Sequence, residues 1–159
     1  MNLRKTKKTI AIIGLGYVGL PLLIKFIESK KYEVIGIDNN HQRITNLKNG
    51  KSYISHISKS QIKLINKGSK KLSSDYKILK ECHYIIFTLP TPLTKNKDPD
   101  MNYISSALES SKKYFKKNQL IILESTVYPG ATEEYFIPVL EEQGFKVGKN
   151  IFLGYSPER

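Results

Sequence analysis

"IAIIGLGYVGLPLL", Ile10 to Leu23, places Gly14, Gly16 and Gly19 in the spacing G-x-G-x-x-G directly behind an apolar run. Glycines fall into that spacing by chance, so its context decides. "TIAIIG" (Thr9–Gly14) reads as a buried strand. Tyr17–Ser29 reads as a helix, with Val18, Leu22 and Phe26 at i, i+4 and i+8. Pro21 is compatible with a helix that begins near Tyr17, because its missing N–H then lies among first-turn groups that have no intrahelical partner. A strand, a glycine turn and a helix in that order are what a dinucleotide-binding unit requires. Gly14 allows the tight turn, and Gly16 lets the backbone approach a pyrophosphate at the helix amino end. Gly19 lets helix and strand pack closely, with Tyr17 and Val18 carried between the last two glycines.

The next test is an acidic residue at the end of the second strand. "YEVIGID" (Tyr32–Asp38) reads as that strand, and Asp38 stands nineteen residues after Gly19. A carboxylate there accepts hydrogen bonds from both ribose hydroxyls and repels a 2′-phosphate, which favours NAD over NADP. Arg43, five residues on, is expected inside the following helix, bracketing the adenosine end.

The remaining chain alternates short apolar runs with amphipathic stretches, the pattern of a parallel sheet covered by helices. Helices are predicted over Asn39–Leu47, over Ser58–Asn66 with Ser58 as the cap, over Asn102–Phe115 capped by Asp100, and from Ala131 or Thr132 to about Gln143. "KKLSSD" (Lys70–Asp75) reads as an edge strand, "HYIIFTLP" (His83–Pro90) as a buried strand, and "QLIILEST" (Gln119–Thr126) as a fifth. Thr91–Asp100 is a loop, "VYPGAT" a turn, and Asn150–Arg159 a sixth strand with a turn. The expected fold class is α/β: a Rossmann-like doubly wound, mostly parallel sheet of about six strands in the order 3-2-1-4-5-6, with helices on both faces. Ligands of such sheets sit beyond the carboxyl ends of the strands. Three of those ends are polar together: Thr88 to Pro92, Glu124-Ser125-Thr126, and Ser156-Pro157-Glu158-Arg159.

The 159 residues suffice for one domain with its own core. Cys82 is the single cysteine, which rules out an internal disulfide and fits a reducing cytoplasm, the expected location. It stands at the start of the fourth strand and reads as a buried structural thiol. The basic, then apolar N-terminus superficially suggests a signal peptide, but the apolar run is short and broken by glycine, and it reads as the first strand. No segment is apolar for long enough to span a bilayer, so no membrane partner is expected. Formal net charge is +12, from 26 Lys+Arg against 14 Asp+Glu. No basic stripe is interleaved with aromatics, so a solvated surface that favours anionic small molecules is expected rather than a nucleic-acid partner. His41, His56 and His83 show no ligand spacing, and no metal is expected.

"GLGYVGLPL", "GID" with Arg43, "LPTPLT", "LESTVYPGATEE" and "GYSPER" together resemble the N-terminal NAD-binding domain of the UDP-glucose/GDP-mannose dehydrogenase family, over the whole chain. "GKSYISHI", "PTPLTKNKDPD" and "FLGYSPER" look most like the branch that oxidises UDP-N-acetylhexosamines at C6. The resemblance implies oxidation of a sugar C6 alcohol by two hydride transfers to two NAD, giving a uronic acid for surface polysaccharide precursors. It implies an aldehyde stage held as a thiohemiacetal on a cysteine, then a thioester that water hydrolyses. Carried over by position, Gly14, Gly16, Tyr17, Val18, Gly19, Asp38, Arg43, Thr91, Ser125 and Thr126 line the NAD site. Thr126 resembles the threonine that helps hold a catalytic water, and Glu158 the glutamate that assists hydrolysis. Glu158 and Arg159 are the implied substrate contacts.

The family's nucleophilic cysteine, central helix and C-terminal UDP-sugar domain would follow Arg159. The expectation is therefore a domain over residues 1–159 that binds NAD without turnover, with a homodimer only in a longer protein. Two other readings stay open at this point: the N-terminal half of a β-hydroxyacid-type dehydrogenase, and a non-enzymatic module that senses NAD or binds nucleic acid.

Overall fold

A computed structural model of the chain describes residues 7–157. Strand β1 (Thr9–Ile13) feeds through the glycine turn into helix α1 (Gly19–Ser29), and β2 (Glu33–Ile37) follows. Helices α2 (His41–Lys48) and α3 (Lys59–Gly68) lead to β3 (Ser69–Ser73). A 3₁₀ helix (Tyr76–Glu81) precedes β4 (Tyr84–Phe87), and then come α4 (Asn102–Ser111), β5 (Leu120–Glu124), α5 (Ala131–Glu142) and β6 (Phe152–Ser156). The six strands form one sheet in the order β3-β2-β1-β4-β5-β6, and every pairing is parallel. The doubly wound order expected from the sequence is therefore the observed one, with β3 at one edge.

Alternation along the strands divides the core into two layers. Ile10 and Ile12 of β1 face one way and pack with Leu23, Ile24 and Ile27 of α1, Ile44 and Leu47 of α2, and Ile62 and Ile65 of α3. Ala11 and Ile13 face the other way and pack with Ile78 and Leu79 of the 3₁₀ helix, Ile104 and Leu108 of α4, and Phe136 and Leu140 of α5. A strand buried on both faces must be apolar at consecutive positions, and β1 is buried at all five. Helices cover both faces, as expected.

The differences from expectation lie at element ends. Helix α1 starts at Gly19 rather than Tyr17, with Val18 at the cap position and no side-chain cap. Pro21 still falls in the first turn. Asp100 is not the cap residue of α4; Met101 is, although Asp100 Oδ1 accepts the Asn102 N–H at 2.9 Å. The single helix expected to Phe115 ends at Ser111 and continues as a 3₁₀ turn over Lys112–Tyr114. Ser110 Oγ and Ser111 Oγ donate to the carbonyls of Ser106 and Leu108, and such back-bonding competes with the α-helical ladder. The edge strand is Ser69–Ser73, slightly earlier than Lys70–Asp75, and the 3₁₀ helix after it was not expected. Ser58 does cap α3, in a full capping box with Gln61.

Candidate functional site

A cleft of about 740 Å³ opens where β1, β2, β4 and β5 end, lined by Ile13, Asp38, Thr88 and Glu124 at those ends. Its floor is the glycine turn. Gly14 adopts φ 93°, a left-handed conformation, and a Cβ there would stand 2.6 Å from the Thr88 carbonyl oxygen. No other residue type fits both the turn and the approach of β4. Gly19 lies beneath: a Cβ there would run into the Gly14 carbonyl oxygen and Thr88 Oγ1. Gly16 faces open space within the cleft.

Asp38, 3% exposed, stands just past the end of β2. Its Oδ2 accepts the Leu15 N–H at 2.8 Å and an Arg43 guanidinium N–H at 3.2 Å, and its Oδ1 accepts the Asn40 N–H at 2.8 Å. Asn40 in turn caps α2 by accepting the Arg43 N–H, which sets where Arg43 projects. The carboxylate is therefore held by protein donors on both oxygens, which the sequence reading, naming only the two ribose hydroxyls, did not include.

The loops after β4 and β5 are tied to this floor and to each other. Thr88 Oγ1 donates to the Gly14 carbonyl at 2.7 Å. Ser125 Oγ donates to the Leu89 carbonyl at 2.8 Å, and Thr91 Oγ1 to the Thr126 carbonyl. Of the residues expected from the sequence, Gly14, Gly16, Tyr17 and Val18 line the cleft together with Asp38, Arg43, Thr91, Ser125 and Thr126. Gly19 does not line it; its place is in the packing underneath. Glu158 and Arg159 lie outside the described residues. Cys82 is buried just before β4, and its thiol donates to the Ile78 carbonyl at 3.6 Å. That is the amino end of the sheet, opposite the cleft. His56 is exposed and packs against Tyr17 in a T-shaped contact, with centroids 4.9 Å apart.

Sequence reasoning missed several lining residues: Tyr76 of the 3₁₀ helix, and Asn102, Tyr103 and Ser106 of α4. Burial, and then the Asp38 charge, push the Tyr76 hydroxyl above the usual phenol range, so it faces the cleft as a neutral donor. Thr88, named from the sequence at the end of the fourth strand, lines the cleft as that position implies. The three α4 residues share one face of the first helical turns after β4, a spacing that points to the same strand ends.

Residues 8–159 match the NAD-binding domain of the UDP-glucose/GDP-mannose dehydrogenase family. The chain belongs to this family. The matched domain is the family's NAD-binding domain. It is 42% identical over 153 residues to the UDP-N-acetyl-D-glucosamine 6-dehydrogenase of Pseudomonas aeruginosa, covering 94% of this chain and 35% of that protein. Protein CapL of Staphylococcus aureus is 41% identical, over 96% of this chain and 35% of its own length. Among solved structures, the UDP-N-acetyl-mannosamine dehydrogenase of Staphylococcus aureus superposes with a TM-score of 0.85 at 31% identity, over 96% of this chain and 37% of that one. The chain thus spans about a third of the length of the relatives it matches. Among the described residues no His, Cys, Asp and Glu group is placed to hold a metal ion, and no helix is long and apolar enough to cross a membrane.

Proposed function

We propose that this chain is the cofactor-binding part of a nucleotide-sugar 6-dehydrogenase that oxidises the C6 alcohol of a UDP-N-acetylhexosamine to the uronic acid. The observation that carries the reading is the buried Asp38 carboxylate, fixed beside the Gly14–Val18 turn in one cleft with the β4 and β5 ends. The substrate class rests on the relatives: a UDP-N-acetyl-D-glucosamine and a UDP-N-acetyl-mannosamine dehydrogenase. Protein CapL favours capsule or surface polysaccharide synthesis as the setting.

NAD suits the residues present. The cleft volume lies within the range of cofactor sites, and Gly16 leaves space beside the amino end of α1 for the pyrophosphate. In this reading Asp38 and Arg43 hold the adenosine ribose. Tyr17 and Val18 flank the pyrophosphate, and Thr91, Ser125 and Thr126 border the nicotinamide side. NAD bound there would supply the hydride acceptor for oxidation of the sugar C6 alcohol. The ties from Thr88 to Gly14 and from Thr91 to Thr126 keep the two sides of the cleft at a fixed spacing, which is what in-register hydride transfer needs. Thr126 is the candidate for holding a hydrolytic water and Glu158 for activating it, and Glu158 and Arg159 are the candidate substrate contacts. Cys82 does not supply the covalent step, because it is buried at the far end of the sheet.

The test is a calorimetric titration of this chain with NAD, followed by an assay for NADH with UDP-N-acetylglucosamine. The expected result is saturable NAD binding and no steady NADH formation. Absence of NAD binding at millimolar concentration would overturn the cofactor reading, and sustained turnover would overturn the assignment of the covalent step to residues outside this chain.

A further inference from the structure

Tyr53 belongs to the loop between α2 and α3 and does not line the cleft, yet it holds two groups that do the work of the floor. Its hydroxyl donates to the Leu15 carbonyl at 2.6 Å, inside the glycine turn. Its ring carries the Arg43 guanidinium, 5.5 Å above the centroid. The other half of the circuit is Asp38, whose Oδ2 accepts both the Leu15 N–H and the Arg43 guanidinium. Leu15 is therefore gripped by its N–H on one side and its carbonyl on the other, and Arg43 is gripped by a charge and an aromatic face. Three side chains and the two backbone groups of Leu15 close a ring: Leu15 N–H, Asp38, Arg43, Tyr53, Leu15 C=O.

The loop that supplies Tyr53 is itself anchored. Ser52 Oγ donates to the Ile54 carbonyl at 2.7 Å and accepts the Ile54 N–H at 3.1 Å, while Ile57 is buried in the core beneath. Its neighbour His56 touches Tyr17, which is 75% exposed at the mouth of the cleft. Burial, and then the Asp38 charge, push the Tyr53 hydroxyl well above the usual phenol range, so it stays protonated and able to donate.

We propose that Tyr53 is a positioning residue of the nucleotide site, locking the glycine turn and Arg43 to the Asp38 carboxylate so that the adenosine end of the dinucleotide meets a preset arrangement. This rests on the NAD-binding reading above. Without Tyr53 the Leu15 carbonyl loses its donor and Arg43 loses the surface that limits its rotamers. The dinucleotide must then order both on binding, which costs affinity.

The experiment compares wild type, Tyr53→Phe and Tyr53→Leu by calorimetry with NAD, ADP-ribose and nicotinamide mononucleotide, alongside thermal melts without ligand. Tyr53→Phe keeps the ring under Arg43 and loses only the Leu15 bond; the dissociation constants of NAD and ADP-ribose should both rise about fivefold. Tyr53→Leu loses both contacts, and the rise should exceed about tenfold. Affinity for nicotinamide mononucleotide, which lacks the adenosine end, should not change. In an Arg43→Ala background the difference between Phe and Leu at position 53 should vanish, a coupling that a purely structural tyrosine would not produce. If Tyr53→Phe melts lower but binds NAD as wild type does, the residue serves only the fold and the assignment falls. Equal weakening of all three ligands also overturns it. Failure of the wild-type chain itself to bind NAD would instead overturn the cofactor reading.

Discussion

At Asp38 one carboxylate receives the Leu15 and Asn40 N–H groups and the Arg43 guanidinium. A carboxylate offers about four acceptor positions, so a single one remains for a ribose hydroxyl unless Arg43 moves aside. Asp38→Asn should therefore be costly in two ways. The amide keeps one acceptor oxygen and turns an NH₂ towards a group that donates, which should lower stability by about 1–3 kcal/mol. In the proposed reading it also removes the charge that would repel a 2′-phosphate. Calorimetry should show NAD binding weakened by about tenfold or more and the preference for NAD over NADP reduced. The glycine spacing and Asp38 were legible because they are short-range patterns with a backbone cause. The role of Thr88 was not, because its hydroxyl serves the Gly14 carbonyl 74 residues away, and only the β1–β4 pairing brings them together. Arg43 was legible as a helix residue, but its hold on Asp38 and Tyr53 is a matter of rotamers that no spacing encodes.

Among the elements, the sheet order followed from the alternation of strands and helices, because parallel strands need crossovers and crossovers of one hand leave few orders. Ser58 and Gln61 spelled out the start of α3 in four residues. The 3₁₀ helix over Tyr76–Glu81 was not expected: Asp75 caps its start locally, but its other end is held from a distant turn. Gln119, 2% exposed just before β5, donates through Nε2 to the carbonyls of Leu79 and Cys82 and accepts the Lys116 N–H through Oε1. One amide thus joins the end of the 3₁₀ helix, the entry to β4 and the turn before β5. Gln119→Leu keeps the volume and removes all three of these hydrogen bonds, so the melting temperature should fall by an amount equivalent to about 1–3 kcal/mol. Because this junction lies at the amino end of the sheet, the NAD dissociation constant should stay at the wild-type value. A loss of both stability and affinity would mean that the two ends of the sheet are coupled.

Across the whole molecule, ligand and fold are linked. The cleft gathers its walls from the ends of β1, β2, β4 and β5 and from α4, which are far apart in sequence and adjacent only in the folded sheet. The unfolded chain has no such site, so NAD binds the native state alone and must stabilise it. At a free concentration one hundred times the dissociation constant the gain is about 2.7 kcal/mol. For a domain of 159 residues that corresponds to a rise in melting temperature of about 5–11 °C. The +12 net charge makes a competing explanation available: any anion could stabilise such a chain by relieving self-repulsion. The two causes separate by ligand and by salt. Relief of repulsion would be given equally by NADP or inorganic pyrophosphate and would disappear as ionic strength rises. Binding governed by Asp38 should give the larger shift with NAD than with NADP, and the difference should persist in salt because the carboxylate is buried. Thermal scans with each ligand at low and high salt make the comparison, and equal shifts with NAD, NADP and pyrophosphate would sink the cofactor reading.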